Sequence, residues 1–199
     1  MRLLPIVEGD GDKMAVPLLL RRMLAERHGI HNCKILKPHV RGDLPTVRKN
    51  FENNFKAALK ENAAILWILD FDCDDCKCVK KEADALLARA NEIHPKWPIE
   101  IAFMVQEYET LFLSDKIATR SVLKSIPADI DFPADPESIR GAKEWLSRAM
   151  PKGVTYKETI HQAKNTSALN FDHLLNHSPS FIHLDRALTR IIEKMQSSE

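Results

Sequence analysis

The stretch AAILWILDFD, residues 63–72, decides the fold. Ala63 to Leu69 is an unbroken apolar run that ends abruptly at Asp70, with Asp72 two positions on. A run this short, with no polar alternation, suits a strand buried on both faces, as in a parallel sheet covered by helices. Working outward, Leu3 to Val7 is a similar run that closes in Glu8-Gly9-Asp10-Gly11-Asp12, after which Val16, Leu19, Leu20, Met23 and Leu24 recur at helical spacing. Pro17 fits that helix if it lies in the first turn, where no intrahelical N–H is needed. Cys33 to Leu36 is a further strand candidate. It is followed by Leu44, Val47, Phe51, Phe55, Ala58 and Leu59 on one helical face.

Downstream, Ala83, Leu86, Leu87 and Ala90 predict a helix over 79–93, and Ile99 to Val105 is the next apolar strand. The alternation then stops. Residues 126–136 hold three prolines and three aspartates and read as a loop, and helices are expected over 138–150, 157–164 and 179–195. The order βαβαβαβ followed by helices predicts an α/β fold: a doubly wound, mostly parallel four-stranded sheet flanked by helices. On this reading residues 1–115 form the α/β domain, and residues 116–199 a helical C-terminal extension packed on it.

The chain has 199 residues and a formal net charge of +1. No stretch approaches the roughly 18 uninterrupted apolar residues of a membrane span, and the start has acids where a signal peptide has an apolar core, so a cytoplasmic protein is expected. Near-neutral charge excludes a histone-like polycation. The distribution is uneven, however: residues 1–62 carry 12 basic and 7 acidic residues, 63–136 carry 8 and 14, and 137–199 carry 9 and 7. Of the four cysteines, Cys73, Cys76 and Cys78 crowd into CDDCKC with Cys33 apart, a pattern read as reduced thiols in a turn. A structural zinc would want a second such pair.

Three acidic groups fall at the carboxyl ends of expected strands. They are Glu8 with Asp10 and Asp12, Asp70 and Asp72 with Asp74 and Asp75, and Glu107 with Glu109. In an open parallel sheet those ends line the ligand crevice, so residues far apart in sequence converge there. Each group alone would pass for a turn or a helix cap. Together they predict a shared divalent-metal site, and hard oxygen ligands select Mg²⁺ or Mn²⁺.

Val7-Glu8-Gly9 with Asp12-Lys13, then Asp70-x-Asp72 after an apolar strand, resembles the Toprim domain of primases, topoisomerases and the overcoming-lysogenization-defect nucleases. Glu107-Tyr108-Glu109 with Leu111-Phe112-Leu113, Tyr156-Lys157-x-Thr159, Gln162-Ala163-Lys164 and Ser180-Phe181 extend the pattern. The whole is similar to the Toprim-like bacterial family DUF4276, often found beside ATPases in phage-defence loci. The resemblance implies general acid or base work for Glu8, metal binding for Asp70 and Asp72, and a further metal-site acid at Asp12. Glu107 and Glu109 have no counterpart in the topoisomerase pattern, and with Glu8 they complete the expected ligand set. No domain with a covalent-link tyrosine is present, so hydrolysis of nucleic acid, by a defence effector with a partner ATPase, is the expected activity.

Lys157 and Lys164 are the candidate cations for charge developing in the transition state. Lys13, Gln162 and Ser180 are the candidate substrate contacts. His173 and His177, four apart, lack an evident third ligand, and Trp67, Trp97 and Trp145 read as packing. Two rival readings stay open: a non-catalytic Toprim-like regulatory module that binds a partner, and a receiver-like phosphoacceptor, against which Glu8 and Asp72 speak. Oligomeric state, including a homo-oligomer, stays open too.

Overall fold

The computed structural model describes residues 1–73 and 78–196. Asp74, Asp75 and Cys76, singled out above, lie outside these residues. The elements in order are β1 (Arg2–Val7), α1 (Asp12–His28), β2 (Lys34–Ile35), β3 (His39–Val40), α2 (Leu44–Leu59), β4 (Ala64–Phe71), α3 (Val79–Ile93) and β5 (Ile99–Val105). There follow α4 (Thr110–Ser114), α5 (Lys116–Val122), a 3-10 turn at Pro136–Ser138, α6 (Ala142–Ala149), α7 (Glu158–Ala168), α8 (Phe171–His177) and α9 (Pro179–Gln196).

The sheet order is β2-β1-β4-β5, with β3 also on β1, and every pair is parallel. The α/β class expected from the apolar runs is the one observed. The strand expected over Cys33 to Leu36 is the two-residue β2, which pairs with Arg2 and Leu3, and an unexpected further short strand, β3, pairs with Ile6 and Val7. Pro38 stands between them, and a residue without an N–H interrupts the ladder.

The unbroken run of β4 resolves into two alternating sets. Ile65, Trp67 and Leu69 join Leu4, Ile6, Ile101 and Phe103 under α2 and α3, where Trp67 meets the Phe51 ring at 5.2 Å. Leu66 and Ile68 join Leu3, Val7, Ala102 and Met104 under α1 and α9, against Leu19, Leu20, Leu184 and Leu188. Each such side chain, fully withdrawn from water, contributes about 1.5–3 kcal/mol. The C-terminal helix α9 is therefore the cover of one sheet face.

Pro17 sits in the second turn of α1 rather than the first. The carbonyl it leaves without an intrahelical donor belongs to Lys13, an exposed residue that water can serve. Cys73 is disulfide-bonded, which corrects the expectation of reduced thiols throughout, while Cys33 and Cys78 are free. Among the described residues no helix is long and apolar enough to cross a membrane.

From β1 the chain passes to β2 and β3 on one side, then crosses to β4 on the other. The strand order reverses between β1 and β4, and the crevice beyond their carboxyl ends is where an open α/β sheet takes ligands. Glu8 follows β1 directly, and Asp70 lies at the end of β4.

Candidate functional site

The β1–α1 turn is held from both sides. Gly42 N donates to Glu8 O (3.1 Å), pinning it beside β3. On the other flank α7 packs so closely that a Cβ on Gly11 would lie 2.4 Å from Gln162 Oε1 and 2.8 Å from Glu158 Cβ. Only glycine fits there. Asp12 opens α1, with its Oδ2 accepting from Gly9 N (3.0 Å) and its Oδ1 from Gln162 Nε2 (2.9 Å). Both of its oxygens thus serve to shape the turn.

The segment after β5 folds back over Asp70. Gln106 adopts a left-handed φ of 65°, a strained backbone for a residue with a side chain, and its N–H donates to Phe71 O (3.1 Å). Tyr108 N then donates to Asp70 Oδ1 (2.9 Å), and Tyr108 OH meets Thr166 Oγ1 at 3.0 Å. An aspartate so enclosed is poorly placed as a phosphoacceptor. Glu109, fully buried, accepts from Tyr156 OH through Oε1 (3.0 Å), while its Oε2 has no hydrogen-bond partner.

Lys143 links these parts. Its ammonium is 2.9 Å from Glu158 Oε1 and 3.9 Å from Glu109 Oε2, and its backbone N–H donates to Glu107 Oε2 (3.1 Å). Sequence reasoning missed it. Its signal was only indirect, a lysine just after Gly141 whose left-handed φ of 78° starts α6. Beside it a cleft of about 560 Å³ is lined by Lys143, Ser147, Arg148, Tyr156, Glu158 and Thr159.

The electrostatics report crowded carboxylates. Burial, then the neighbouring Asp72, raises the Glu8 pKa to about 7, against the pull of Lys143. Asp70 is raised well above the carboxylate range by burial, then by Glu8, Asp12 and Glu109. Burial pushes Glu109 up to about 8 even though Lys143 favours its charged form. Burial works against the Lys143 ammonium, but Glu109, Asp70 and Glu158 more than offset it and hold the group charged.

The sequence candidates divide accordingly. Glu8, Asp12, Asp70, Glu107 and Glu109 lie in one electrostatic neighbourhood, with Asp72 exposed at its mouth. Gln162 is buried and engaged with Asp12, so it positions the turn rather than meeting substrate. Ser180 is fully buried, its Oγ accepting from Val105 N (2.9 Å) and its N–H donating to Glu137 Oε1 (2.7 Å). It ties α9 to β5 and is a structural cap, not a substrate contact. Lys164 is exposed and lies on α7 opposite the buried Gln162, Asn165 and Thr166. Lys157 is exposed at the start of α7, and Lys13 pairs with Asp10. His173 and His177 are stacked at 4.0 Å with their ring nitrogens on backbone carbonyls.

Does this donor set fit a divalent cation? Glu8 Oε2 is buried with no hydrogen-bond partner, and the acids around it repel one another, which is the setting a hard cation relieves. Among the described residues no three His, Cys, Asp or Glu side chains form a ready-made cage. Mg²⁺ commonly needs only one or two carboxylates, with water and a substrate phosphate completing its shell.

A match to the family described as a domain of unknown function, DUF4276, spans residues 7–189. Among solved structures, the C-terminal region of the Burkholderia pseudomallei OLD protein is similar at 18% identity and a TM-score of 0.46, over 96% of this chain and 97% of that one. No curated protein matches.

Proposed function

This chain belongs to the DUF4276 family, and we propose that it is a divalent-metal-dependent hydrolase of phosphodiester bonds in DNA or RNA. The observation that carries the proposal is the pairing of Glu8 and Asp70 at the switch point. The half-buried Glu8 raises the proton affinity of the buried Asp70, while Asp72 and Asp12 raise that of Glu8, and Glu8 keeps one oxygen without a hydrogen-bond partner. Proteins retain such mutual repulsion where a cation or a proton transfer uses it.

Glu8, Asp70 and Asp72 would hold Mg²⁺ or Mn²⁺. When bound, the ion supplies neutralisation of the scissile phosphate and a lowered pKa for an attacking water. The remaining work falls to the chain. Glu8, raised to a pKa of about 7 in the ion-free chain, would be held charged beside the ion, where its second oxygen can accept a hydrogen bond from the attacking water. Lys143, held charged by its acidic neighbours, offsets negative charge developing on the phosphoryl oxygens. Asp12 and Gln162 keep the Glu8 turn in place, and Tyr156 and Glu109 anchor the wall that carries Lys143. The role of an anti-phage effector partnered by an ATPase goes with this proposal.

The test incubates the protein with single- and double-stranded DNA and RNA in Mg²⁺, Mn²⁺ or EDTA, beside Glu8→Ala and Asp70→Ala. Metal-dependent cleavage lost in both variants supports the proposal, and cleavage unchanged in them refutes the site. Calorimetric titration of the purified chain with Mn²⁺ separates the readings further: no binding by the wild type, or equal binding by Asp70→Ala, favours a non-catalytic regulatory module.

A further inference from the structure

Lys143 stands between two carboxylates in opposite surroundings. Its ammonium is 2.9 Å from Oε1 of the partly exposed Glu158 and 3.9 Å from Oε2 of the fully buried Glu109. The second distance is just beyond hydrogen-bond reach, and Glu109 Oε2 has no other partner. An oxygen buried and open beside an ammonium is an unmet attraction. By charge alone, Glu109 and the buried Asp70 pull on Lys143 more strongly than Glu158 does. The ammonium nonetheless sits on Glu158, at the cleft of about 560 Å³ that both residues line.

Glu158 can hold it there because it is itself braced. A Cβ on Gly11 would lie 2.8 Å from Glu158 Cβ and 3.2 Å from its Oε2, so this side chain is wedged between the Glu8 turn and the lysine. The other charges of the cleft do not compete. Glu144 Oε2 lies over Gly141, 2.8 Å from where a Cβ would stand, and Arg148 is exposed and makes no ion pair among the described residues. The backbone of Lys143 is fixed through its N–H on Glu107 Oε2, whereas a flexible four-carbon stem carries the ammonium. Its partner therefore decides where the charge stands.

We infer that Glu158 is a positioning residue: it keeps the Lys143 ammonium at the cleft, clear of the seat between Glu8 and Asp70, so that a divalent cation can enter. The inference rests on the divalent-ion reading above. Without Glu158 the ammonium turns to Glu109 and Asp70 as a built-in counter-ion, and an entering cation meets its charge. A double-mutant cycle on Mn²⁺ affinity tests this, with calorimetric titration of the whole chain as wild type, Glu158→Gln, Lys143→Met and the double variant, each first shown by urea unfolding to be folded. Glu158→Gln weakens Mn²⁺ binding by about tenfold, whereas in the Lys143→Met background the same change costs about threefold or less, the effect of one lost charge near the surface. Lys143→Met alone binds Mn²⁺ at least as tightly as wild type. Unchanged affinity in Glu158→Gln overturns the inference, as does weaker binding by Lys143→Met. An equal loss with and without Lys143 also overturns it and leaves Glu158 as a nearby charge only. No Mn²⁺ binding by any of the four folded proteins is a separate result, which removes the divalent-ion reading and this inference with it.

Discussion

Replacing Glu8 by glutamine removes a charge that the apo chain holds at a disadvantage. Burial and the Asp72 carboxylate raise the Glu8 pKa from the usual 4.5 to about 7. The folded chain therefore binds this proton more tightly than the unfolded chain, so stability falls as pH rises from 4.5, and the loss is complete above pH 7. The whole shift corresponds to about 3 kcal/mol, at about 1.4 kcal/mol per pKa unit. Glu8 is only partly enclosed, so solvent screening reduces the figure to about 1–2 kcal/mol. In a chain of this size that is worth about 3–6 °C in Tm. In EDTA at pH 8, Glu8→Gln should melt higher than wild type by this amount, with the difference closing toward pH 4.5. Millimolar Mg²⁺ should raise the wild-type Tm and raise that of the variant less, since a neutral amide is a poorer ligand. Thermal scanning at the two pH values, with EDTA and with Mg²⁺, reads all four quantities. Equal Tm in EDTA at pH 8, or an undiminished Mg²⁺ response in the variant, refutes the account of Glu8.

Further outcomes follow from the same contacts. Asp70→Asn keeps an oxygen for Tyr108 N but loses the charge, so the fold persists while metal-dependent cleavage drops by about 10²–10³ in a gel-based assay. Lys143→Met strands the buried Glu109 beside Glu158 and lowers unfolding free energy in urea by about 2–3 kcal/mol, less than for a fully buried pair because Lys143 is partly exposed. Lys164→Ala, on the outer side of α7, changes cleavage by less than about twofold and stability by less than about 0.5 kcal/mol. Ser180→Ala leaves the half-buried Val105 N–H without its acceptor, so urea unfolding shows a loss of about 1 kcal/mol while kcat/KM is retained.

What the sequence made legible follows the range of the forces involved. The run Ala63–Leu69 announced a doubly buried strand because burial on both faces excludes polar residues, and that is local information. The convergence of Glu8 and Asp70 was legible because a strand end has a fixed place in an open sheet. Lys143 was not, because its role depends on where the loop over residues 126–136 delivers α6, and no local pattern encodes that. Ser180 misled for a related reason: a serine that caps a strand N–H and one that meets a phosphate look alike in sequence. The outward placement of Lys164 was legible too, since the buried Gln162, Asn165 and Thr166 define an inward face of α7 that leaves it exposed. The strand β3 is two residues long, beneath what periodicity can resolve.

The hydrogen bond from Gln162 to Asp12 joins residues 150 apart, and it has a consequence in time. At about 5–20 residues per second, a ribosome takes roughly 8–30 s to carry synthesis from one to the other. During that interval the sheet strands have all been made, but the turn bearing Glu8 has no α7 to rest on and β5 has no α9 above it. The nascent chain therefore passes through a stage with its acids already made and their scaffold missing, and the Glu8 turn is fixed only when the later helices dock.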